Sequence, residues 1–263
     1  NRSAKLLALV PPDKKTLFWL HNRGNYLLKP KNFKFLISRY PTLIFSGKYH
    51  RSTFLLWLFF KNRVIPYGLN ELFFGSKSER TPPPPPRAIF SSNPLRSLDW
   101  LVDRWMEIHK RVPEAELHIF SGPSPYGSWG ESVAKKMNEM LQYAKKHESA
   151  RIIVHDPVSK EKLREEIQKS RLMLYRGDIA ETFCLSIAES LEMGGPCVTM
   201  NLGSMKERIQ DGVTGFVLDR DEDFVEKAVE LLSDDVKWKF LHQNLIKAPV
   251  NLSWEYVAKE FIK

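Results

Sequence analysis

Short apolar runs alternate along this chain with longer stretches whose apolar residues recur every three or four positions. The runs Thr42–Phe45, Ala88–Phe90, Glu116–Phe120, Leu172–Tyr175 and Cys197–Met200 predict short buried strands. Weaker runs at Thr16–Leu20, Arg63–Ile65, Arg151–Val154 and Gly215–Leu218 predict four more. Between them, Lys31–Ser38, Arg51–Phe60, Ser97–Lys110, Glu131–Lys146, Ser159–Lys169 and Asp223–Ser233 are read as helices, with Lys206–Gln210 a further segment before the turn Asp211-Gly212. Strands alternating with helices predict right-handed βαβ units and parallel sheets. The pattern therefore describes an α/β protein with two Rossmann-like sheets in tandem.

Five prolines, Pro82–Pro86, interrupt the alternation. Proline has no N–H to donate and favours an extended polyproline conformation, so such a run predicts a stiff spacer. It divides the chain into a first domain at 1–81, a linker at 82–87, a second domain at 88–250 and a terminal helix at 251–263. The first block supplies about three strands, fewer than the five or six of a doubly wound sheet. That domain is expected to be incomplete.

Charge sharpens the division. Residues 1–87 hold 16 basic and 3 acidic side chains, a net of +13, whereas the remainder carries −4. The basic block is also aromatic, with Phe33, Phe35, Phe45, Phe54, Trp57, Phe59 and Phe60. Such a mixture fits an anionic membrane surface or a nucleic acid backbone. No recognised nucleic-acid motif is present, so no nucleic-acid partner is expected. No apolar run approaches the roughly 18 residues of a membrane span. The two cysteines, Cys184 and Cys197, form no disulfide framework, and a cytoplasmic location is expected, peripheral at the inner face of the membrane. The seven histidines are dispersed and no CxxC occurs, so no metal site is expected.

The candidate chemistry gathers at Glu181-Thr182-Phe183-Cys184-Leu185-Ser186-Ile187-Ala188-Glu189. A strand precedes this stretch and a Gly-Gly-Pro turn with another strand follows it. Glu181 thus falls at the carboxyl end of a parallel strand, and Glu189 about two turns into the next helix. Open α/β sheets bind ligands at such ends, and a helix N-terminus there holds phosphate.

In order along the chain, Glu181, Phe183, Glu189, Gly194-Gly195-Pro196, Glu207, Asp211-Gly212 and Gly215-Phe216 resemble the signature of retaining GT-B glycosyltransferases, family 4. The likeness runs from about residue 88 to the end. Trp254 and the helix after it resemble the family's closing helix, which crosses back to the first domain. Leu17-Phe18-Trp19-Leu20-His21, Phe45-Ser46-Gly47 and Val64-Ile65-Pro66-Tyr67-Gly68 resemble the later strands of the family's N-terminal domain. The Gly-rich loop after that domain's first strand has no counterpart.

The resemblance implies transfer of a sugar from a nucleotide-sugar donor to a glycan or lipid-linked acceptor, with retention at the anomeric carbon and without a metal or cofactor. It places the protein in bacterial lipopolysaccharide or cell-surface polysaccharide synthesis. Glu181 would hold hydroxyls of the transferred sugar and His21 would contact that sugar; these are the catalytic candidates. The N–H groups of Thr182, Phe183 and Cys184 would receive the diphosphate, and Glu189 the ribose diol. Ser91 ends the first strand of the donor domain, and the segment Asp156–Lys160, with Asp156 and Val158, would line the nucleobase. Family members place two cations near the diphosphate. Arg96 matches the second, but Ser92 stands where the first belongs. Arg176, five residues before Glu181, is expected to supply the missing charge. A nucleotide-sugar binder without catalysis is the alternative reading.

Overall fold

The computed structural model describes residues 3–11, 13–75, 78–247 and 251–263; residues 248–250, the end of the expected second domain, lie outside them. The chain folds into two Rossmann-like α/β lobes facing a cleft. The smaller contains β1 (Leu17–Trp19), α1 (Pro30–Arg39), β2 (Thr42–Phe45), α2 (Lys48–Ser52) and β3 (Asn62–Val64). Its sheet is parallel in the order β1-β2-β3, with Leu17 opposite Thr42 and Leu43 opposite Asn62.

The larger lobe begins with β4 (Arg87–Phe90), α3 (Leu98–Arg111), β5 (Glu116–Phe120), α4 (Gly127–Lys145) and β6 (Ile152–His155). It continues through α5 (Lys160–Lys169), β7 (Leu172–Tyr175), α6 (Leu185–Glu192), β8 (Cys197–Met200), α7 (Met205–Arg208) and β9 (Gly215–Leu218). Helices α8 (Asp221–Ser233), α9 (Asp235–Lys247) and α10 (Trp254–Ile262) close the chain. All six strands are parallel, in the order β6-β5-β4-β7-β8-β9. Counted from β4, that is the doubly wound order 3-2-1-4-5-6. The winding reverses between β4 and β7, which opens a crevice at their carboxyl ends.

Helices cover both faces of this sheet, so its central strands read as unbroken apolar runs; every residue of β7 and β8 is buried. Trp105 and Trp238 are fully buried in helices on the sheet. Each spends its indole N–H on a carbonyl, Trp105 on Ala150 at 2.8 Å and Trp238 on Arg171 at 2.6 Å.

Three expectations change. The apolar stretch expected as the helix Arg51–Phe60 is helical only to Ser52, followed by a short 3₁₀ turn at Trp57–Phe59. The Thr53 hydroxyl donates to the His50 carbonyl and accepts the Gly24 N–H, ending the helix. With no polar residue from 54 to 60, the segment buries Phe54 and Phe60 and exposes Leu55, Leu58 and Phe59. Secondly, the prolines are not a free spacer. Pro84 is buried, and its carbonyl accepts from Arg171 Nε at 2.9 Å. Phe73 already lies in the core of the larger lobe, so the chain crosses between lobes ahead of the prolines. Thirdly, helix α9 was not apparent from the sequence pattern.

Helix α10 returns to the smaller lobe. Val257 packs with Ile44 and Ile65, and Arg63 donates to the Glu260 carbonyl at 2.6 Å.

Candidate active site

A cavity of about 660 Å³ lies at the reversal point of the larger sheet and is roofed by the smaller lobe. That volume falls within the ordinary range for small-molecule sites. Its walls come from the loops after β4, β5, β6 and β7 and from His21 and Tyr67 of the smaller lobe.

The loop after β7 is held in a fixed shape. Asp178 accepts the Ala180 N–H on its carboxylate at 2.6 Å, and its carbonyl accepts the Glu181 N–H at 2.8 Å. Gly203, at φ 62°, packs under this loop; a β-carbon there would stand 2.4 Å from the Asp178 carbonyl and 2.7 Å from that of Glu181. Cys184 caps helix α6 in a left-handed conformation, φ 66°, a strained choice for a residue with a side chain. The first N–H groups of α6 have no intrahelical acceptor and carry the positive end of the helix dipole, and Cys184, Leu185 and Ser186 at that end line the cavity. The Ser186 hydroxyl donates to the Ser91 carbonyl at 2.8 Å, tying the two loops of the crevice together.

Of the residues singled out from sequence, His21, Ser91, Arg96, Val158, Glu181, Thr182, Phe183 and Cys184 line this cavity. Glu181 accepts a hydrogen bond from Tyr175 at 2.8 Å. Arg96 forms an ion pair with Asp178 at 2.6 Å. Burial lowers its pKa, but the carboxylates of Glu181 and Asp178 more than restore it, so Arg96 stays firmly charged. The Ser91 hydroxyl is buried with no hydrogen-bond partner among the described residues.

Three candidates lie elsewhere. Arg176 does not reach the cavity: its guanidinium donates to the Ser97 hydroxyl at 3.0 Å and sits over the Trp100 ring. The chain leaves β7 through Gly177 at φ 87°, and Arg176 packs back onto the start of α3. Asp156 stands beside the cavity, whose wall there is Pro157 and Val158. Glu189 is buried behind the wall, at the fifth residue of α6, just over one turn in rather than two. Its carboxylate meets Lys160 Nζ at 2.5 Å, and Lys160 does line the cavity. Burial raises the Glu189 pKa, and the Lys160 ammonium opposes that rise.

Sequence reasoning missed Tyr67 and Tyr126, and reached Lys160 only as the end of the nucleobase segment Asp156–Lys160. Tyr67 lies 2.7 Å from His21 Nδ1 and stacks on that ring. Tyr126 is carried in by a short 3₁₀ turn ahead of α4, and burial pushes its hydroxyl up to about 12. Lys160 opens α5, where the Ser159 hydroxyl caps the helix. Cys184 and Cys197 are buried and free, with both thiols raised by burial, so neither is a ready nucleophile.

The lobes touch directly beside the cavity. The Ser46 hydroxyl donates to the Thr182 carbonyl at 2.9 Å, and Tyr49 OH to that of Ile179 at 2.5 Å. Glu207 accepts the N–H groups of Lys48, at 2.9 Å, and Tyr49, both in the first turn of α2. His50, buried behind Ser46, accepts the Ser46 N–H on Nδ1 at 3.0 Å, which leaves Nε2–H to donate to Asn22 O at 2.7 Å. Burial lowers its pKa, so this ring is a neutral strut.

Two Rossmann-like lobes, a crevice between them and a last helix returning to the first define the GT-B architecture. The chain belongs to the glycosyl transferases group 1, whose family model matches residues 87–234. It is 26% identical over 169 residues to the D-inositol 3-phosphate glycosyltransferase of Rhodococcus jostii (strain RHA1), covering 63% of this chain and 36% of that protein. It superposes on the pneumococcal O-GlcNAc transferase GtfA, solved with UDP and GlcNAc, with a TM-score of 0.73 at 14% identity; the match covers 98% of this chain and 53% of that one. Anabaena HepE, solved with UDP-glucose, gives 0.70 at 13% identity, over 95% and 71% of the respective chains. The chain spans about a third of its curated relative and about half of GtfA.

Proposed function

We propose that this protein is a retaining glycosyltransferase that moves a sugar from a nucleotide-sugar donor to a glycan or lipid-linked acceptor in cell-surface polysaccharide synthesis. The observation that carries the reading is the cavity at the reversal point, with the N-terminus of α6 and Arg96 on one side and His21 on the other. As the anomeric C–O bond breaks, charge grows on the leaving diphosphate. Preorganised N–H groups and a guanidinium aimed there stabilise that charge more than the ground state. In this reading the transfer is metal-independent, and the leaving phosphate takes the acceptor's proton as the acceptor attacks from the same face. Glu181, fixed by Tyr175, holds the sugar hydroxyls, and Glu189 with Lys160 faces the ribose.

The smaller lobe supports a membrane-peripheral placement at the inner face of the membrane. No acidic residue occurs from 14 to 70, and Leu55, Leu58 and Phe59 stand 75%, 71% and 67% exposed. An apolar tip on a basic lobe fits anionic lipid. Among the described residues, no helix is long and apolar enough to cross a membrane.

A thermal-shift screen of UDP-, GDP-, ADP- and CMP-sugars, followed by donor hydrolysis and transfer assays, tests the reading. A donor that stabilises the protein and releases its sugar is expected, with Glu181→Ala lowering turnover by about 10²-fold. Stabilisation without turnover favours the alternative, a nucleotide-sugar binder, which the serine at position 92 supports. No shift with any donor overturns both.

A further inference from the structure

Two cations line the cavity, Arg96 and Lys160, and each is already paired with a carboxylate of this chain. The Arg96 pair is the more consequential, because Arg96, on the loop after β4, lines the cavity together with the start of α6, where a diphosphate would lie. With serine at position 92, it has no second guanidinium or ammonium beside it on the β4 loop. We propose that Asp178 is a specificity-determining residue that competes with a nucleoside diphosphate for Arg96 and so weakens diphosphate binding.

The inference rests on the nucleotide-sugar reading above. Arg96 Nη1 lies 2.6 Å from Asp178 Oδ1, and both side chains are about one third exposed, at 30% and 31%. The pair is therefore reachable by ligand and solvent. A guanidinium forks onto phosphate as readily as onto carboxylate. A bound diphosphate must share Arg96 with a fixed negative charge or turn it away from Asp178. In either case Asp178 opposes the ligand in two ways, by occupying the guanidinium and by repelling the phosphate. The same side chain has a structural duty, because its Oδ1 also accepts the Ala180 N–H. Asparagine keeps an acceptor oxygen for that N–H and removes only the charge. The two duties are thereby separable.

The test is calorimetric titration with UDP, GDP and ADP, and with the matching nucleosides, of the wild type, Asp178→Asn, Asp178→Ser, Arg96→Met and the Arg96→Met/Asp178→Asn double variant. Asp178→Asn is expected to bind the diphosphate about three- to fivefold more tightly at low salt, the gain shrinking as ionic strength rises. Nucleoside affinity is expected to stay unchanged. In the Arg96→Met background most of the gain should vanish, since a bare field effect would persist there and release of Arg96 would not. Asp178→Ser, which also offers an acceptor to Ala180, should show the same gain and guards against a folding defect in the first variant. Wild-type binding with equal or weaker binding by both Asp178 variants overturns the inference alone. Failure of every diphosphate to bind the wild type and all variants overturns the nucleotide-sugar reading with it.

Discussion

Helix α5 delivers Lys160 to the cavity, and an ion cluster clamps that helix to the sheet. Glu166 sits beneath it with its side chain 11% exposed, 2.5 Å from Arg87 of β4, whose side chain is equally buried. Lys169 and Lys162 approach from the helix itself, at 3.0 and 3.4 Å. Burial pushes the Glu166 carboxyl up, but hydrogen bonds from Lys169 and Arg87 overcome it and hold the group at about 2 rather than 4.5. That depression corresponds to about 3 kcal/mol of folding stability at neutral pH. Glu166→Gln keeps the volume and an acceptor but removes the charge, stranding Arg87. We expect it to lower the unfolding free energy by about 3 kcal/mol at pH 7 in urea titrations. Because the folded pKa is the depressed one, the stabilisation is complete above about 4.5 and is lost as pH falls toward about 2. The gap between variant and wild type should therefore narrow by about 1 kcal/mol at pH 4. His118 and His155, whose pKa values burial lowers, also cost stability in acid; His118 drops out of the difference, but the Glu166 charge raises the His155 pKa, so wild type and variant are compared in a His155→Gln background. A gap under about 1 kcal/mol at pH 7, as for an exposed ion pair, or one that fails to narrow at pH 4, would refute the reasoning.

Three other outcomes are expected. Lys160→Met should raise the Glu189 carboxyl further; if ionised Glu189 receives the ribose, nucleotide affinity, taken relative to each protein's own value in mild alkali, should fall at higher pH than wild type as the solution is acidified. Parallel calorimetric pH profiles would oppose that role. Replacing Leu55, Leu58 and Phe59 together by serine should abolish co-sedimentation with anionic vesicles while leaving the melting temperature within a few degrees, since all three are exposed; unchanged sedimentation would remove the lipid contact. Arg176→Ala should leave donor affinity unchanged, because its guanidinium is spent on Ser97 and Trp100, and a several-fold loss would return it to the site.

The larger lobe was legible because its sheet is buried on both faces, which makes β7 and β8 stand out as unbroken apolar runs. Glu181 and the start of α6 followed from that register. Arg176 lies outside the cavity lining, and spacing along a loop says nothing about which way a side chain turns beside a left-handed glycine. The run after α2 misled because a wholly apolar segment has no polar face to set a helical phase. Helix α9 was missed because its buried stripe includes His242, which reads as polar yet donates its Nδ1–H to the Gly194 carbonyl at 2.7 Å. Lys160 and Asp178 are ordinary surface charges in a sequence; only the fold brings each to a carboxylate or guanidinium partner at the cavity.

Gly47 precedes α2 in an extended conformation that any residue can adopt, φ −171°. Its demand for glycine comes from the other lobe, since a β-carbon there would stand 2.4 Å from Glu207 Oε2. Positions 47 and 207, far apart in the chain, therefore form one unit of inheritance. A larger residue at 47 becomes tolerable only with a shorter acid at 207 or a wider cleft. Exchanging either lobe for that of a distant family member would break this match unless both positions travel together.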